Sequence, residues 1–164
     1  MPPPDSAATT AGLVPTSFSL YPADLEIVAS VKDLFTRRGY GIDDTKTIRG
    51  LYHVATELDL FAFAVVQHRL DELKPGRREP LPVSWRNQIW VPQADTEKFA
   101  RVVQRLKQAD IKSNESYVFR GYLRHRPANE ELIPPFEEFL KKFPDFRYKE
   151  GRILAGRSKP DGAS

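Results

Sequence analysis

The chain of 164 residues contains no cysteine, one methionine and two tryptophans. Without cysteine there can be no disulfide, no thiolate nucleophile and no cysteine-ligated zinc. Long apolar runs are missing as well. The most apolar segment, 58–66, is interrupted by Asp59 and falls short of the ~18 residues that a bilayer span needs, so no membrane helix is expected. Met1-Pro2-Pro3-Pro4-Asp5-Ser6 has neither the basic nor the apolar region of a secretory signal, and the cytoplasm is the expected compartment. Net charge is small. Lys+Arg 25 against Asp+Glu 22 leaves +3 and a pI near 9.2, which permits an anionic partner without requiring one. Catalytic signatures are lacking too. His53, His68 and His125 show no metal-ligand spacing, there is no glycine-rich phosphate loop, and no serine sits in a nucleophile elbow. The adjacent Glu137-Glu138 would point apart on a helix rather than pair as acid and base. No enzyme, cofactor or metal site is expected.

What is present suits one folded domain or two very small ones, with 40% hydrophobic and 29% charged residues. Residues 1–15, rich in Pro, Ala, Thr and Ser, read as a flexible leader. Ser17-Phe18-Ser19-Leu20 alternates like a half-buried strand and is closed by Pro22. From 23 to 38, Leu25, Val28, Val31, Leu34 and Phe35 recur at helical spacing, with Gly39 and Gly41 as stop and turn. Asp43, Asp44 or Thr45 caps a second helix with the stripe Ile48, Leu51, Tyr52 and Ala55. A helix over 58–73 is apolar nearly all round, so other elements or a second copy of the chain should bury it; self-association into a homo-oligomer is one expectation. The proline-rich stretch 75–82 reads as a linker.

After the linker the order recurs. Gln88-Ile89-Trp90-Val91 alternates up to Pro92. Asp95 or Thr96 caps a helix carrying Phe99, Val102, Val103 and Leu106, and Ser113 or Asn114 caps another with Val118, Phe119, Tyr122 and Leu123. Arg49-Gly50 and Arg120-Gly121 stand 71 residues apart, and the same offset without gaps matches Leu20 to Val91, Val28 to Phe99, Val31 to Val102, Phe35 to Leu106 and Ile48 to Phe119. It also superposes identical residues, among them Asp24 on Asp95, Glu26 on Glu97 and Ala29 on Ala100. A single strand of this length leaves its backbone groups unpaired, so the two copies should pair antiparallel over four helices and leave one face of the ribbon in solvent. Such a face fits the DNA major groove.

Ser17-Phe18-Ser19-Leu20, the following helix, the Gly39-Tyr40-Gly41 turn and Asp44-Thr45-Lys46-Thr47-Ile48-Arg49 resemble the ribbon-helix-helix family of DNA-binding proteins, to which the Arc, MetJ and CopG repressors belong. Two copies in one chain are similar to the tandem arrangement of the relaxosome protein TraY. The resemblance spans about residues 16–126. It implies a mainly α fold with a short two-stranded antiparallel ribbon, a tandem pseudo-dimer with an inserted helix and a C-terminal helical extension. The segments are then a leader at 1–15, a first strand-helix-helix repeat at 16–57, an extra helix and linker at 58–85, a second repeat at 86–126 and an extension at 127–164.

The resemblance further implies sequence-specific binding of double-stranded DNA, as in transcriptional regulation or plasmid maintenance. With Phe18, Leu20, Ile89 and Val91 inward, alternation turns Ser17, Ser19, Arg86, Gln88 and Trp90 toward the bases. Arg86 and Gln88 suit guanine and adenine, so the second repeat should discriminate more. Phosphates would meet the helix starts at Thr45 and Lys46 and at Ser116 and Tyr117, although Asp43 and Asp44 repel an anion at the first. Arg49 and Arg120 make either structural ion pairs or phosphate contacts, and Arg77-Arg78 with Lys98, Arg101, Arg105 and Lys107 either track the backbone or are solvated. The alternative is a protein-interaction module, an antitoxin or oligomerisation scaffold, that keeps the fold without DNA. In the extension, a short helix from 134 to 144 presents Phe136, Phe139, Leu140 and Phe143 on one face, to the chain's own core or to a protein partner, and the chain from Gly151 onward should fray.

Overall fold

A computed structural model describes residues 13–74, 85–143, 146–149 and 152–155. They are mainly α, with six helices and a two-stranded antiparallel sheet formed by β1 (Leu13–Leu20) and β2 (Trp85–Pro92). After β1 come α1 (Pro22–Arg37), α2 (Asp44–Val54) and α3 (Glu57–Glu72); after β2 come α4 (Gln93–Gln108), α5 (Glu115–His125) and α6 (Asn129–Lys142). A separate hairpin, β3 (Phe146–Lys149) with β4 (Arg152–Ala155), follows. The 75–82 segment read as a linker lies outside the described residues.

Local chemistry accounts for the helix ends. Asp43 and Asn114 cap α2 and α5, accepting from the N–H of Lys46 and Tyr117 at 2.8 Å each. α1 and α4 both stop in the same doubly bonded turn. Tyr40 N–H reaches Phe35 O at 3.0 Å and Gly39 N–H reaches Thr36 O at 3.0 Å; Ile111 N–H reaches Leu106 O at 2.8 Å and Asp110 N–H reaches Lys107 O at 3.0 Å. The residue after the cap must be left-handed, and it is Gly39 (φ 98°) in one turn and Asp110 (φ 62°) in the other. Asp110 therefore carries a strain that Gly39 avoids. Asp110→Gly is expected to raise stability by about 0.5–1 kcal/mol, read as a higher urea midpoint at unchanged slope.

Three expected boundaries differ. β1 begins at Leu13 rather than after a leader reaching 15; Pro15 is tolerated because every strand of a two-stranded sheet is an edge. α4 begins at Gln93, with Pro92 at its cap, instead of being capped by Asp95 or Thr96. α6 begins at Asn129, so Pro134 and Pro135 lie inside it. The carbonyls that these prolines leave without donors belong to Glu130 and Glu131, which are exposed and reach water. Of the stretch from Gly151 onward expected to fray, residues 152–155 pair with 146–149, and Gly151 and 156–164 lie outside the described residues.

The offset of 71 runs through the tertiary structure. α1 and α4 have 16 residues each, α2 and α5 have 11 each, and each pair starts 71 apart. In the β1–β2 register Ser17 stands opposite Gln88, its own counterpart, so this pair marks the centre of the internal two-fold relation. Beneath the sheet, Tyr52 stacks on Phe99 at 4.1 Å between ring centroids, and Phe119 meets Phe18 edge-on at 4.8 Å.

α3 and α6 take corresponding posts, which alters their reading as an insertion and an extension. α3 packs on α5 and α4, whereas α6 packs on α2, so the third helix of each half covers the second helix of the other. Each close approach needs a glycine. A Cβ on Gly50 would lie 2.5 Å from the Phe136 ring, and one on Gly121 would lie 3.2 Å from Phe63 O.

Candidate nucleic-acid interface

The inward positions of the sheet, Phe18, Leu20, Ile89 and Val91, are buried, as alternation requires. On the opposite face Ser17 and Gln88 are exposed, while Ser19 and Trp90 are half-buried. Arg86 is placed by its register opposite Ser19. Ser17, Ser19, Gln88 and Trp90 thus share one face of the ribbon, with Pro15 completing it opposite Trp90, while the Arg86 side chain lies outside the described residues.

Paired interactions hold this ribbon to the helices. Arg49, buried on α2, donates Nε to Trp90 O at 3.1 Å, and Arg120 on α5 donates Nη1 to Ser19 O at 3.1 Å. Both arginines and both carbonyls are related by the offset of 71. Burial pushes the Arg49 guanidinium down to about 10. Arg120 also lies over the Tyr21 ring, 5.0 Å from its centroid. These guanidinium groups tie each half to the strand of the other.

The acids Asp24 and Asp95, at equivalent third positions of α1 and α4, form a second such set. Asp24 is fully buried and receives Arg124 Nε at 2.8 Å, Arg124 Nη2 at 3.3 Å and Tyr21 N–H at 2.9 Å. Asp95 lies 2.8 Å from His53 Nδ1. His53 and Arg124 are again counterparts. Sequence reasoning noticed the repeated acids, offered Asp95 only as a helix cap and gave Asp24 no role; identical charged residues within two buried patterns were the available signal.

The two helix starts differ as anion sites. The N–H groups of Lys46 and Tyr117 are used by the caps, which leaves those of Thr45 and Ser116 in the first turns. At α2 the carboxylates of Asp43 and Asp44 oppose an anion, with Lys32 on Asp44 at 2.8 Å as partial compensation. At α5 the cap is neutral. Glu115 turns inward, accepting from Thr16 Oγ1 at 2.7 Å and from the Tyr52 hydroxyl. Burial, reinforced by Glu115, raises the Tyr52 phenol well above the ordinary tyrosine value. Ser116 Oγ accepts Ser19 N–H at 3.0 Å, fastening the start of α5 to the ribbon, and Tyr117 donates its hydroxyl to Asp71 at 2.8 Å. The second start is therefore the more favourable one for phosphate.

Comparison with protein-family models, with curated proteins and with solved structures finds no match to this chain. The functional reading accordingly rests on its own geometry.

Other candidates have intramolecular posts. Lys98 Nζ caps the C-terminal end of α2 through Tyr52 O at 3.2 Å and His53 O at 3.1 Å. Arg101 pairs with Glu57 at 3.0 Å, and Arg105 lies 4.1 Å from the Phe61 ring centroid. These three basic residues of α4 thus make contacts within the chain. Arg77 and Arg78 lie outside the described residues. Phe136, Phe139 and Leu140 are buried in the chain's own core, and half-buried Phe143 meets the His53 ring at 5.3 Å. Among the described residues no group of three or more His, Asp or Glu converges as a metal site, and no helix is long and apolar enough to cross a membrane.

Proposed function

We propose that this chain binds double-stranded DNA as a tandem ribbon-helix-helix protein, its two strand-helix-helix units forming a pseudo-dimer that lays the outer face of the β1–β2 ribbon in the major groove. The observation that carries this reading is the register, which sets exposed Ser17 opposite exposed Gln88 while Thr16, Phe18, Leu20, Ile89 and Val91 are buried. A two-stranded ribbon with one polar open face has the width and periodicity that the major groove admits. Gln88 and Arg86 share that face by alternation and bring the side chains suited to adenine and guanine. The start of α5, capped by the neutral Asn114, fixes the ribbon on the duplex through phosphate.

Fluorescence anisotropy with a random duplex pool at low and near-physiological salt, followed by selection of bound duplexes, tests the reading. A short enriched motif and an affinity that falls steeply with salt are expected. Arg86→Ala with Gln88→Ala should cost about 1–3 kcal/mol of discrimination per lost bidentate contact and leave non-specific binding largely in place. No binding at low salt would instead favour the protein-interaction module, toward which the acidic start of α2 points; an unchanged preference in the double variant would remove the base-reading roles.

A further inference from the structure

The two halves differ where α1 and α4 turn into their second helices. In the first half, Tyr40 follows the left-handed residue, its ring packs edge-on to Phe35 at 6.2 Å, and half-buried Ile42 lies two residues on. The counterparts in the second half are Ile111 and Ser113, which are smaller. A cleft of about 290 Å³ opens there, lined by Val103, Lys107, Asp110, Ile111, Lys112 and Ser113. Ser113 Oγ is buried and has no hydrogen-bond partner among the described residues, a state that a folded chain tolerates at a cost unless something else supplies the partner. Val103 and Ile111 give the cleft an apolar floor. Two ammonium groups against the single carboxylate of Asp110 leave its rim cationic.

We propose that this cleft is a binding site for a small aromatic carboxylate. The aromatic body would lie on Val103 and Ile111, in the room that Tyr40 and Ile42 fill in the first half. Its carboxylate would meet Lys107 and Lys112 and accept from Ser113 Oγ, giving the buried hydroxyl its missing partner. The volume suits a single ring bearing a short acidic arm, at the small end of ligand sites. None of its lining residues belongs to the ribbon, while Ser113 directly precedes the Asn114 cap of α5.

The test uses the full chain and 4-hydroxyphenylacetate, followed by amide chemical shifts. Saturable shifts confined to residues around 103–113 are expected, while tyramine, with the same ring and the opposite charge, and acetate, with no ring, give none. Ile111→Tyr with Ser113→Ile fills the cleft as the first half does and should abolish the shifts. Lys107→Gln with Lys112→Gln should weaken binding on the order of tenfold and decides the matter alone if the filled variant does not fold. The proposal is overturned by an absence of saturable shifts at millimolar probe, by equal binding of tyramine, or by undiminished binding to the lysine variant.

Discussion

Arg124→Met is expected to lower stability by about 3–5 kcal/mol, the usual loss when one partner leaves a buried ion pair. Asp24 has no exposure, and two of the three hydrogen bonds described at its carboxylate come from Arg124. Methionine keeps the aliphatic stem but supplies no donor, so the carboxylate retains the Tyr21 N–H and is otherwise stripped of compensation. Removing the acid should cost less. The Arg124 side chain is 22% exposed and can turn its charge toward water, whereas Asp24 cannot. Asp24→Asn added to Arg124→Met should recover much of the loss, because a neutral amide still accepts from Tyr21 N–H and no unpaired charge remains. Urea denaturation of the four proteins of this cycle measures the coupling, and the single Arg124 variant should melt on the order of 10 °C lower. Additive losses, with no recovery in the double variant, would show that the pair is not the joint between α1 and α5 that its geometry describes.

The interactions easiest to read from the sequence are those whose partners lie within a turn of each other. Asp43 and Asn114 were among the expected caps because a cap bonds three residues ahead, and the buried faces of α1, α2, α4 and α5 followed from a 3.6-residue period. Arg49, Arg120, Lys98 and Arg124 escaped, since each works on a backbone carbonyl or a carboxylate some 40 to 100 residues away in sequence, and nothing in a helical period distinguishes such a residue from a solvated one. The kinship of α3 and α6 was hidden for another reason. Their caps, Thr56 and Ala128, fall one residue off the offset of 71, α3 is apolar nearly all round, and α6 contains two prolines that suggest a later start. The β3–β4 hairpin did leave a signal, the alternation of Phe146 and Tyr148 with Arg147 and Lys149 and a glycine at 151 before a second apolar run. On the ribbon, alternation ordered the faces, but only the register shows that Ser17 and Gln88 meet.

Phe136→Ala is the second large loss expected, about 3–5 kcal/mol. The ring is fully buried, stacks on Phe35 at 4.3 Å between centroids and meets Phe139 edge-on at 5.8 Å. Its other side rests on Gly50, which has no side chain with which to close a cavity. Pro134 and Pro135 also deprive α6 of two backbone hydrogen bonds just before this residue, so side-chain packing must hold the helix on α2. Both effects place the loss toward the upper end. Gly50→Ala attacks the same contact from the opposite side, since its Cβ would lie 2.5 Å from the ring, and the forced shift should cost about 1–3 kcal/mol. Combined with Phe136→Leu, which withdraws the far edge of the ring, Gly50→Ala should cost less than the two separate losses together. In the other half Gly121 meets the backbone at Phe63 and Ala64, which cannot rotate aside, so trimming a side chain there has no equivalent rescue to offer. Urea midpoints for these variants decide between side-chain packing and backbone proximity as the tie between each third helix and its neighbour; a Phe136→Ala loss below about 1 kcal/mol would mean that α6 is not held by this ring.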